Sequence, residues 1–133
     1  MTSRHPLGNG IQVFLLLSLG VSLCTAYIIC LVLGQLVRIP NIDIPFHLAG
    51  GAWVAWVAYL VYVKRHSSRP FLVTVVLVLL VAFAWEAGEW TITTAETGPR
   101  PFFNDDTLRD VFFSTVGGVV SAALCLIGYK RSH

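Results

Sequence analysis

The chain is predicted to be an all-α integral membrane protein, a four-helix transmembrane bundle with both termini cytoplasmic. Three observations predict it. Of 133 residues, 56% are apolar and only 12% charged, against about 25% charged in an average soluble domain. With a mean hydropathy of +0.74, a soluble fold has no way to hide that much apolar surface. Second, the apolar residues fall into four segments, each close to the 17–25 residues that a helix needs to cross about 30 Å of hydrocarbon. Third, Lys and Arg are unevenly divided between the connections.

The helices are expected at about 11–36, 44–63, 71–91 and 108–129, within a single domain spanning 1–133. None shows the period-2 alternation of a barrel strand. The first segment carries no charge. It is read as a mature helix and not as a signal peptide, because it outruns a 7–15-residue apolar region and no A-x-A-like site follows. Cys24 follows Val-Ser-Leu, which lacks the small residue expected before a lipidated cysteine. Cys24, Cys30 and Cys125 all lie in apolar segments, an odd count that reads as packing and not as a disulfide framework.

Arg4, then Lys64, Arg65 and Arg69, then Lys130 and Arg131 fall on one side of the membrane; Arg38, Arg100 and Arg109 fall on the other. The richer side is the cytoplasmic one. The seven acids, Asp43, Glu86, Glu89, Glu96, Asp105, Asp106 and Asp110, all lie at the opposite, outer end. A charge at membrane depth costs at least a few kcal/mol, so acids inside helices need a reason.

The acids form pairs. Asp43 and His47 are spaced i, i+4 at the start of helix two. Glu86 and Glu89 are spaced i, i+3 near the end of helix three. Asp106 and Asp110 are spaced i, i+4 at the start of helix four. Each spacing puts both members on one helix face. If the three faces converge, five carboxylates and an imidazole share one shallow pocket, where either protons or a cation must offset their charge. Oxygen donors suit Mg, Ca or Mn, and an added imidazole admits Zn or Fe. His47, Glu86, Glu89, Asp110, Asp43 and Asp106 are therefore candidate ligands of a divalent metal. Glu86, Glu89 and Asp110 are candidate catalytic groups, and Arg100 and Arg109 candidates for holding an anionic substrate group such as phosphate.

Plainer roles compete. Asp43 ahead of Pro45 suits an ordinary helix start, and Asp105 or Asp106 can cap helix four. Arg109 can snorkel to the interface. His5, His66 and His133 lie in polar flanks. Trp53, Trp56, Trp85 and Trp90 suit interface or packing positions. Gly50-Gly51 and Gly117-Gly118 follow the polar pairs, where small residues let helices approach closely.

The text 43-DIPFH-47, 85-WEAGEW-90 and 106-DTLRDVFFSTVGG-118 resembles the VanZ-like bacterial membrane proteins, and more nearly their YjdF-type relatives. The likeness covers roughly residues 41–120; the first helix matches only in being apolar. VanZ-like members typically carry lysine where this chain has Ile44, often glutamine at Glu89 and asparagine at Ser114. The resemblance implies a multi-pass protein of the bacterial inner membrane with a link to the cell envelope, and no settled activity.

Three functions fit. One is a metal-dependent enzyme acting on a lipid or cell-envelope precursor at the outer leaflet, with membrane lipid as its surroundings. Another is a small structural or accessory subunit, paired with a second copy or a partner membrane chain. The third is ion- or proton-linked binding or transport. A net charge of +2 with no basic stripe argues for no nucleic-acid partner.

Overall fold

The computed structural model describes residues 6–34, 39, 41–63 and 68–131. All regular structure there is helical. The helices are α1 (Pro6–Val32), α2 (Asp43–Ala58, continued by a π-helical stretch Tyr59–Val63), α3 (Pro70–Thr97) and α4 (Asp105–Arg131). Arg4, Arg38, Lys64 and Arg65, on which the expected orientation partly rests, lie outside the described residues, as do His5, His66 and His133.

The chain divides into two compact units, residues 1–40 and 41–133. The first is α1. Its hydroxyls bond back into the helix: Ser18 to the Phe14 carbonyl, Ser22 to that of Ser18 and Thr25 to that of Val21. Side chains satisfied in this way can face an apolar surrounding. The helix stops at Val32, short of the expected Leu36. Leu33 N–H still donates to the Ile29 carbonyl at 2.9 Å, but Gly34 turns left-handed at φ 65°, a conformation that closes a helix and that glycine adopts without a Cβ clash.

The second unit is a bundle of α2, α3 and α4. The stretches Asp43–Val61, Pro70–Ala95 and Asp105–Gly128 are long and apolar enough to cross a membrane; in α1 the apolar stretch Phe14–Cys30 is shorter. The surface is apolar: Leu80, Phe112 and Leu124 are each more than half exposed. Apart from Tyr59, the buried apolar core is made of small and medium residues, Ala55, Val78, Ala82, Val111 and Ala122, with polar Thr74, Thr107 and Ser114 among them.

Two helices run longer than expected. α3 continues to Thr97, beyond Trp90 where apolarity fades; the Thr91 and Thr93 hydroxyls there donate to the Ala87 and Glu89 carbonyls. Gly98 at φ 94° ends it. α4 starts at Asp105. Its cap is neither Asp105 nor Asp106, as expected, but Asn104, whose Oδ1 accepts the Thr107 N–H at 2.9 Å, the usual cap-to-third-residue bond. Asp43 is likewise no cap: Ile42 holds that position with no side-chain bond.

Close approach of the helices depends on three glycines. A Cβ on Gly51 of α2 would run into the Ser114 carbonyl of α4, and one on Gly117 of α4 into the Leu48 carbonyl of α2. The neighbouring Gly118 faces α3, where a Cβ would lie 2.6 Å from Val78 Cγ1. Gly50 and Gly88 open onto space. The Gly117-Gly118 pair thus seats α4 against both partners, and only one member of Gly50-Gly51 takes part. Gly51→Val or Gly117→Val should lower the thermal midpoint in detergent and the folded yield, at a cost of about 1–3 kcal/mol or more. Gly50→Ala and Gly88→Ala should be neutral or slightly stabilising. Equal behaviour of both groups would refute the close-approach seam.

Candidate functional site

The polar residues collect at one end of the three-helix unit. The N-terminal turns of α2 and α4 lie there together with the last three turns of α3. Each helix sends one buried ionisable residue inward: His47 from α2, Glu86 from α3 and Asp110 from α4, which are 8%, 5% and 4% exposed. The placement follows from the seam. His47 and Gly51 are one turn apart on α2, as are Asp110 and Ser114 on α4. The backbone contact at Gly51 and Ser114 therefore brings the imidazole and the carboxylate together.

His47 is the hub. Its Nδ1 is hydrogen-bonded to Ser114 Oγ at 3.3 Å and lies 3.9 Å from Glu86 Oε1. Its Nε2 lies 3.6 Å from Asp110 Oδ2. The ring thus faces two carboxylates, one with each nitrogen. His47, Glu86 and Asp110 each offer a ligand atom within 4.8 Å of the others. A metal bound at about 2 Å by imidazole and carboxylate requires a shift of about an ångström or less from these spacings. Coordination by one ring nitrogen leaves the other to its orienting partner, the arrangement that fixes metal-bound histidines. The donor set fits a divalent cation.

Arg109 organises a second group of acids. Its Nη2 donates to Asp43 Oδ2 at 2.5 Å and to Asp106 Oδ1 at 2.7 Å. Its Nε donates to Asp110 Oδ1 at 3.4 Å, and its Nη1 to Asn41 Oδ1 at 3.3 Å. Asp43, Asp106 and Asp110 also have metal-like spacing, but the guanidinium already supplies their counter-charge. Asp110 belongs to both groups, with Oδ1 toward Arg109 and Oδ2 toward His47. Asn41 is the one described non-glycine residue at positive φ, 60°, a conformation that asparagine tolerates.

The predicted site residues therefore separate. His47, Glu86 and Asp110 come together. Asp43 and Asp106 meet Arg109. Glu89 and Arg100 belong to neither group; Glu89 Oε2 and Arg100 Nε are buried without a hydrogen-bond partner. Two residues escaped the sequence reading as site members: Ser114 and Asn41. For Ser114 the signal was present, since Asp106, Asp110 and Ser114 step by four along α4.

The fold and the site define a helical integral membrane protein with a buried histidine–carboxylate cluster where its three spanning helices meet. The chain belongs to the family described as predicted membrane protein (DUF2238), whose pattern matches residues 3–131. No curated protein and no solved structure matches it.

Arg109→Gln should destabilise the unit by leaving three carboxylates without their cation. Asp43→Asn in the same chain should recover part of the loss, with a coupling of about 1 kcal/mol for this partly solvated pair. Additive effects in a thermal-melt cycle would show that the pair is not coupled.

Proposed function

We propose that His47, Glu86 and Asp110 hold a divalent metal in an inner-membrane enzyme of bacteria, and that this enzyme acts on a lipid or cell-envelope precursor at the outer leaflet. The observation that carries the reading is the convergence of three ligand-type side chains, one per helix, to within 4.8 Å. Three protein ligands leave a coordination position for water or substrate, the usual state of a catalytic metal. A divalent cation there would supply Lewis-acid polarisation and an activated water. Ser114 would orient the imidazole through Nδ1. The likeness of residues 43–47, 85–90 and 106–118 to VanZ-like proteins supports the bacterial envelope setting. The Lys and Arg distribution supports cytoplasmic termini and an outward-facing site.

A structural or accessory role has its own observation in favour: the Arg109 network satisfies its carboxylates without any ligand. Transport has less support, because the spanning stretches Asp43–Val61, Pro70–Ala95 and Asp105–Gly128 carry no charge in the half away from the cluster.

Metal content by mass spectrometry, on protein purified in detergent without chelator, separates the readings. Near-stoichiometric metal is expected in the parent, with loss in His47→Ala and Glu86→Gln. Ser114→Ala should keep the fold and weaken the metal by about 10–100-fold, the usual effect of removing an orienting partner. A metal-free parent would sink the enzyme reading in this form and favour the structural one.

A further inference from the structure

We propose that Arg100 is the anion-binding residue of this site and holds a phosphate-type group of the substrate beside Glu86. The inference deepens the substrate-site reading above and rests on it for the chemistry that follows binding.

The two candidate anion-binding arginines differ. Arg109 already donates to Asp43, Asp106, Asp110 and Asn41. Arg100 has a buried Nε with no acceptor, and no carboxylate among the described side chains pairs with it. A buried donor left unpaired is costly, the more so when charged, so the position favours an incoming acceptor. Arg100 also lies close to the cluster: its carbonyl accepts the indole N–H of Trp90, which follows Glu86 by one turn on α3. An anion bound to Arg100 would therefore sit near the cluster.

The mounting is rigid. Arg100 stands between Pro99 and Pro101 in 98-GPRP-101. Each proline fixes its own φ, and Pro101 confines Arg100 to extended conformations. The Arg100 carbonyl accepts the Trp90 indole N–H at 2.9 Å, and Phe102 packs edge-on against Trp90 with ring centres 5.9 Å apart. The backbone is thus tied to α3, and ordering the segment adds little to the cost of binding. Glu89, Thr94 and Arg100 hold the unpartnered buried polar side-chain atoms found among the described residues, and all three lie in this one stretch. Depth selects the ligand class. The spanning stretch of α3 ends at Ala95, so Arg100 follows it at headgroup level, where phosphate is the abundant anion. The planar guanidinium fork suits phosphate oxygens.

The test uses the full chain in detergent, titrated by calorimetry with dihexanoyl phosphatidic acid and, separately, with inorganic phosphate. Parent and Arg100→Gln are compared, with metal content measured on the same samples. The expected result is binding by the parent and about 10–100-fold weaker binding by Arg100→Gln, as for loss of a charged hydrogen bond. Arg100→Lys keeps the charge but not the fork; it should bind several-fold more weakly than the parent, and it decides the matter if the glutamine variant does not fold. Binding of the lipid alone identifies a headgroup phosphate; binding of both identifies a phosphate site open to free anion. Equal binding by parent and variants, or no binding of either probe, overturns the assignment. A metal-free parent whose phosphate binding still depends on Arg100 would sink the metal reading and leave the anion site standing.

Discussion

The contact on which the site depends is the close approach of α2 and α4, in which Gly51 lies against the Ser114 backbone and Gly117 against the Leu48 backbone. In a bilayer, lipid tails compete for apolar side chains as well as any neighbouring helix does, so association relies on close packing and on interhelical polar contacts. Two backbones in direct contact supply the first. The polar groups one turn away supply the second, and their spacing is inherited from the first. His47 meets Asp110 and Ser114 because the helix axes beneath them are as near as the missing side chains allow.

Around this seam the electrostatics divide into two layers. The rim holds Asp43, Asp106 and Arg109, where the guanidinium offsets the acids at partial exposure and the positive helix N-termini add to the balance. Beneath it, His47 sits between Glu86 and Asp110, almost fully buried. Asp110 serves both layers, one oxygen to each. A carboxylate held from both sides keeps one orientation, which a solvated surface acid does not.

Much of this was legible in the chain. The helices followed from apolar run lengths, and the polar end followed from acids confined to one side. Spacing showed that Glu86 and Glu89, or Asp106 and Asp110, share faces. It did not show which member points inward. In a soluble helix the apolar stripe marks the inner face. Here α3 and α4 are apolar on nearly every side, with Leu80 and Leu124 facing outward and Val78 and Ala122 inward, so nothing in composition fixes rotation about the helix axis. Glu86 turns in and Asp106 turns toward Arg109 for reasons of packing. The same ambiguity hid Ser114. The ends of α3 and α4 were misplaced because the apolar run ends before the hydrogen-bonded helix does.

The order of the helices along the chain has a consequence for assembly. His47 enters the membrane with α2 and Glu86 with α3, yet Asp110, Ser114 and the Gly117-Gly118 notch all belong to α4. Until α4 is inserted, His47 and Glu86 have each other but lack Asp110 and Ser114, and Gly51 lacks the backbone it packs against. Assembly of the cluster is therefore completed by the third spanning helix, which brings the last of its polar groups and the notch that seats them together.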